Sequence, residues 1–309
     1  MTIALAIASG SLAVTPLVAS GAQQGGAVSS RTVAALTRAA EQGDAGAQFE
    51  LGVLGVTGRL GSEGRRKAVA MLQAAADQKN DGACFVLGSL YRRGAIVGHD
   101  PAKAAALFRS AAERGDPMAQ NALAEMMFKG EGGPKDAAGA VRLLETAAKT
   151  GLTAAKANLG VAYVQGMGVK ADHKRGVALV REAAATGLVT AQYDLGWLYA
   201  TGTGLPRDEA AARKWYGIAA ERGSARAQYN LAYLLLKPAK GNADPVTALK
   251  WLMLASKGNV QDLRKPAQKA VMTVASQLSK SDVKKAGDAA MKWARKHDHK
   301  AVAAAEPRH

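Results

Sequence analysis

The chain has 309 residues, 48% of them hydrophobic but only 5% aromatic, and a formal net charge of +16. So few rings beside so much alanine argue against one large globular centre and against strands; they favour helices packed closely on small side chains, in an array whose core grows unit by unit. The lone cysteine, Cys84, excludes an intramolecular disulfide and any multi-cysteine zinc site, and the basic balance calls for an anionic partner of some kind.

In chain order, the first element is an apolar stretch from Ile3 to about Val18, followed by small residues. It reads as a leader over residues 1–22, either a secretory signal cut after Ser20 or Ala22 or a disordered segment, although no Lys or Arg precedes it. The signal reading predicts export. Residues 31–44 carry a single helix capped by Ser30, which closes the array on its N-terminal side.

From 45 to 259 the chain repeats itself every 36 residues, six times. Gly58, Gly94, Gly130, Gly166 and Gly202 stand on one comb. Gly43, Gly115, Gly151, Gly187 and Gly223 stand on a second, with Lys79 as its one substitution, and Leu51, Leu87, Leu123, Leu159, Leu195 and Leu231 on a third. Within a unit, Ala191 to Tyr199 shows apolar residues at helical spacing and ends at Gly202-Thr203-Gly204, where left-handed backbone stops a helix. A second helix from Asp208 to Arg222 places Ala212, Trp215, Tyr216, Ala219 and Ala220 on one face and stops at Gly223. Each unit is therefore a pair of antiparallel helices. The small residue after each repeated leucine, Gly52, Gly88, Ala124, Gly160, Gly196 and Ala232, marks where the two helices of a pair approach closely.

Beyond the repeats, residues 260–298 read as two capping helices, Gln261 to Leu278 and Asp282 to Lys296. Ser279 or Ser281 caps the second, which packs through Ala286, Ala290 and Trp293, and residues 299–309 form a disordered tail. From Lys257 onward twelve Lys or Arg stand against five Asp or Glu, so about +7 of the +16 lies there. This predicts contact between the C-terminal helices and an anionic surface, lipid or acidic polysaccharide.

The pattern running from Ala147 to Gly168, and again from Ala219 through Leu231, resembles the Sel-one-like repeat (SLR) family, relatives of the tetratricopeptide repeat. The resemblance covers about Arg31 to Gly258. It implies an all-α, right-handed superhelical solenoid of antiparallel helix pairs, and an adaptor role, with many bacterial members working in the cell envelope. By analogy with tetratricopeptide arrays, the concave face includes the positions two before and two after the repeated leucine. In units five and six these are Tyr193, Trp197, Tyr229 and Tyr233, four rings expected to form one patch that anchors another protein or peptide. The same positions also suit inter-repeat core.

Other fragments carry chemistry only out of context. Ser281-Asp282-Val283-Lys284 and Lys149-Thr150-Gly151 match two motifs of serine-based penicillin-recognising enzymes, but the first opens a helix and the second is the turn that ends every repeat. His297 and His299 flank Asp298 at a spacing that points the rings apart, and His99 and His173 lie in loops, so no metal site is expected. The Gly-x-Gly turns follow helices instead of strands and are not phosphate loops. The expected protein is a non-catalytic scaffold without cofactor, exported to the periplasm as a regulator or assembly factor of a bacterial envelope system. A nucleic-acid-binding helical repeat protein and a cell-wall-active hydrolase remain as alternatives.

Overall fold

The computed structural model describes residues 30–94, 96–239, 241–258 and 260–303. The leader over 1–22 and the end of the tail, 304–309, lie outside the described residues, as does the His299 side chain. Fifteen helices, and no strand, account for the secondary structure among the described residues. One helix, α1 (Ser30–Glu41), precedes the repeats. Six pairs follow: α2 (Ala45–Val56) with α3 (Gly61–Asp77), α4 (Asp81–Arg93) with α5 (Pro101–Glu113), and α6 (Pro117–Lys129) with α7 (Ala137–Lys149). The remaining pairs are α8 (Thr153–Gln165) with α9 (His173–Ala185), α10 (Val189–Thr201) with α11 (Glu209–Glu221), and α12 (Ala225–Leu236) with α13 (Pro245–Lys257). Two further helices, α14 (Gln261–Ala275) and α15 (Lys280–Ala303), end the fold.

These helices begin where they do because two rows of capping side chains recur. Asp44, Asn80, Asp116 and Ser224 accept hydrogen bonds from the backbone N–H three residues on, at 2.6 to 3.3 Å, and open first helices. Second helices open on an aspartate comb that the sequence reading used only at Asp208: Asp100, Asp136, Asp172, Asp208 and Asp244. Each caps its helix at 2.7 to 3.0 Å. Each also donates its own N–H to a carbonyl of the preceding helix, those of Tyr91, Met127, Tyr163, Tyr199 and Leu235, so one residue starts a helix and closes the turn before it. Asp208 thus sits just outside α11 as its cap. Likewise Ser279, and not Ser281, caps α15: its hydroxyl accepts from the Asp282 N–H at 3.1 Å and donates to the Asp282 carboxylate at 2.8 Å. α1 starts at Ser30 itself, so that residue is inside the helix it was expected to cap.

The described helices form two compact units, one of residues 30–159 with 167–170 and one of residues 160–166 with 171–303. In the first, Phe49, Leu72, Leu87, Phe108, Leu123 and Met126 build a continuous core lined by alanines. In the second, Tyr193, Tyr216, Leu231, Leu249, Trp251 and Leu252 do so. Within pairs, a Cβ added at Gly52, Gly88 or Gly196 would meet Leu72, Phe108 or Tyr216 of the partner helix at 2.6, 2.9 and 2.7 Å, which is why only small residues stand there.

Between repeats, a glutamine in four of the six first helices donates to the carbonyl eight residues back, at the end of the preceding helix: Gln48 to Ala40, Gln120 to Ala112, Gln192 to Ala184 and Gln228 to Ala220, at 3.1 to 3.4 Å. These carbonyls are the acceptors a helix end leaves unpaired. Cys84 takes the same place, fully buried, with Sγ 3.9 Å from the Ala76 carbonyl and 3.6 Å from an Arg114 nitrogen; burial pushes its thiol up.

Candidate partner-binding face of the first helices

The four rings singled out by spacing lie on α10 and α12. Tyr193 is buried, only 3% exposed, and its ring packs 5.7 Å from that of Tyr216 on α11. Asn230 donates to both phenol oxygens, at 3.5 Å to Tyr193 and 3.2 Å to Tyr216. Burial raises the Tyr193 hydroxyl above its ordinary range, with the neighbouring Asp194 adding to the effect, and burial raises Tyr216 further. Tyr193 therefore serves as core between helices.

Tyr229 and Tyr233 meet one helical turn apart, with centroids at 4.9 Å and the Tyr229 hydroxyl donating to that of Tyr233 at 3.1 Å. Tyr229 is half-buried, and desolvation first, then the bond to Tyr233, raises its phenol. Tyr233 is 45% exposed, the only aromatic ring among the large hydrophobic side chains that stand exposed in the described residues. Trp197 is half-buried and packs on the same core. Along α12, Arg226, Tyr229, Tyr233 and the capping Lys237 follow one another at helical spacing, so a cation stands at each end of the tyrosine pair.

Two buried carboxylates, without a sequence motif to mark them, stand on the same combs as these rings or next to them. Asp194 follows Tyr193 in α10 and is fully buried, and neither carboxylate oxygen has a hydrogen-bond partner among the described residues. Burial drives its carboxyl well above the usual range, only partly offset by Arg226. The signal was available: 36 residues either side of Asp194 stand Asn158 and Asn230, neutral where Asp194 is ionisable.

The other is Glu125, two repeats before Trp197 on the same comb. In α6 this carboxylate is 1% exposed, and it accepts from Asn121 at 3.2 Å, Asn158 at 3.3 Å and Arg92 at 3.1 Å. Burial raises it and Arg92 pulls it down. Positions that carry rings in the later repeats thus carry a closed polar network in the earlier unit, with every bond of the carboxylate satisfied internally.

The chemical motifs resolve into structure. Thr150 donates to the Ala147 carbonyl at 2.8 Å in the turn that ends α7, and Ser281 lies in the first turn of α15. His297 stacks on Trp293 at 3.7 Å, with Nδ1 2.8 Å from the Trp293 carbonyl and Nε2 2.7 Å from that of Glu221, so both ring nitrogens are engaged. His99 and His173 are exposed.

A family model described as Sel1 repeat matches residues 45–80, 82–116, 117–152, 153–188, 189–224 and 225–260. No curated protein matches the chain. Among solved structures, a Sel1 repeat protein from Oxalobacter formigenes is 29% identical, with a TM-score of 0.65, over 71% of this chain and 88% of that one. A Sel1 repeat protein from Klebsiella pneumoniae is 21% identical, with a TM-score of 0.49, over 67% of this chain and 99% of that one. A protective antigen of uropathogenic Escherichia coli with an SLR fold is 24% identical, with a TM-score of 0.46, over 88% and 73%.

Proposed function

Starting from the fact that the chain belongs to the Sel1 repeat family, whose arrays are protein-interaction scaffolds and typically non-catalytic, we propose that it is an adaptor for another protein or peptide. In this reading it works in the periplasm as a regulator or assembly factor of an envelope system. The partner seats on the exposed side of α10 and α12, against Trp197, Tyr229 and Tyr233.

The observation that carries the reading is the Tyr229–Tyr233 pair. Tyr193, Trp197, Tyr199, Tyr216, Tyr229 and Trp251 lie in or against the core, whereas Tyr233 turns a large amphipathic surface to solvent, the kind of rigid anchor that dominates binding at interfaces. With Arg226 and Lys237 at its ends, the stripe suits an apolar segment that carries acidic neighbours. The C-terminal helices make a second contact, with an anionic surface, lipid or acidic polysaccharide. The basic excess after Lys257 supports it.

The test is in-cell crosslinking with mass spectrometry, comparing tagged wild type with a Trp197→Ala, Tyr233→Ala double variant and reading the mature N-terminus in the same data. A partner lost from the variant, with a new N-terminus near Gly21 or Gln23, is the expected result. An unchanged partner set moves the site off these rings, and RNA recovered on an uncut chain replaces the adaptor reading with nucleic-acid binding.

A further inference from the structure

In the repeats the second helix packs on its own first helix, as α11 does on α10 and α13 on α12, but the last two helices break this rule: α15 packs on α13 instead of on α14. It is held there by Ala286 and Ala290, both buried, and by Trp293, which stands edge-on to Trp251 at 6.3 Å and donates to the Glu221 carboxylate at 2.9 Å. His297, 2.7 Å from the Glu221 carbonyl, adds a second tie to the end of α11.

α14 consequently buries one side, through Ala267 and Val274, and leaves the other uncovered. Along that other side run Lys265, Lys269, Met272 and Ser276, at helical spacing and all exposed. Met272, at 69%, is the most exposed large hydrophobic side chain among the described residues. α15 repeats the device: Met291 is 50% exposed, with Lys284, Lys292 and Arg295 exposed around it. An unbranched apolar side chain set among lysines is the arrangement that enters the headgroup boundary of a bilayer while the ammonium groups stay at the polar surface.

Between residues 261 and 297 stand nine basic side chains against three aspartates, and one of those, Asp282, is already paired with Lys285 at 3.0 Å. Seven of the nine are lysines and two are arginines. Compact ammonium charges suit the diffuse field of anionic headgroups, whereas close recognition of a phosphate backbone favours the guanidinium fork. No helix among the described residues is long and apolar enough to cross a membrane, so contact with lipid would run along the side of α14.

We propose that the exposed side of α14 binds an anionic lipid bilayer, with Met272 entering the interfacial layer and Lys265 and Lys269 holding headgroups. This rests on the reading that the C-terminal helices meet an anionic surface, and it names that surface. α15 contributes through Met291 and its lysines and, by docking on α13, leaves α14 free to bind.

The experiment is co-sedimentation of the full chain with phosphatidylglycerol–phosphatidylcholine vesicles and with pure phosphatidylcholine vesicles, at about 0.1 M and about 0.5 M salt. Alginate and a poly(U) strand are measured in parallel. The expected result is binding to the anionic vesicles only, largely released at the higher salt. Met272→Ser should weaken it roughly fivefold and Lys265→Gln with Lys269→Gln roughly thirtyfold. All three residues are exposed, so circular dichroism of these variants should match wild type. Binding to alginate or poly(U) without vesicle binding would overturn the bilayer and leave the anionic-surface reading standing for alginate. Binding to none of the three would overturn both. Vesicle binding unchanged in the variants would remove α14 as the contact.

Discussion

Asp194 shows what one residue can do in a repeat. Its neighbours on the comb, Asn158 and Asn230, are neutral, but this carboxyl is fully buried with no hydrogen-bond partner among the described residues, so the folded protein holds its proton well above the ordinary 3.8. The unfolded chain releases that proton near pH 4. Above this the folded state binds more protons than the unfolded, so the contribution of Asp194 to stability is full at low pH and is lost progressively as pH rises towards the folded value. Asp194→Asn is therefore expected to stabilise the protein by about 1–3 kcal/mol at pH 7, with the gain shrinking towards pH 4, as read from urea unfolding at the two pH values. A second residue strains its backbone. Ile96 is β-branched and exposed at φ 72°, on the comb where Gly132, Gly168 and Gly204 adopt 69 to 77°. Ile96→Gly should raise stability by roughly 1 kcal/mol, and an unchanged melting midpoint would refute the strain.

At the scale of the helix pair, the close approaches were legible in sequence and the ties between pairs were not. A glycine or alanine recurring after a leucine every 36 residues marks contact too tight for a larger side chain, and at Gly196 the obstacle is the Tyr216 ring. Gly196→Val should part α10 from α11 and cost about 1–3 kcal/mol in denaturant titration. It should also move Tyr193, which rests on Tyr216, so the near-ultraviolet dichroism of the tyrosines is expected to change with it. The recurring glutamine, by contrast, could have been a surface residue: nothing in its spacing says that its amide reaches back to a carbonyl of the previous helix. Gln228, 3% exposed and bonded to the Ala220 carbonyl at 3.2 Å, illustrates the role. Gln228→Ala should cost about 1–2 kcal/mol by leaving that carbonyl unpaired.

Across the whole molecule, a repeat array exposes core at its last pair unless something covers it. Here α14 and α15 both pack on α13, and Trp251 of that helix meets Trp293 of α15. Removing residues 279–309 is expected to lower the melting midpoint and raise binding of a hydrophobic dye, because Trp251 loses Trp293; a truncated chain that melts like wild type would show that α15 is an appendage. The sequence by itself determined the helix pairs, their period, the bounds of the pair α10 and α11 within two residues and the belonging to the Sel1 repeat family, because caps, left-handed glycines and small contact residues act locally and recur in step. Only the tertiary structure decided which rings face outward. Tyr193 and Tyr229 occupy the same place in successive repeats, yet one is core and the other half-open, since burial depends on what the neighbouring helices bring to that place. It also decided where α15 goes, because a helix that leaves the repeat follows no period, and its docking side is chosen by the packing of Ala286, Ala290 and Trp293 on α13.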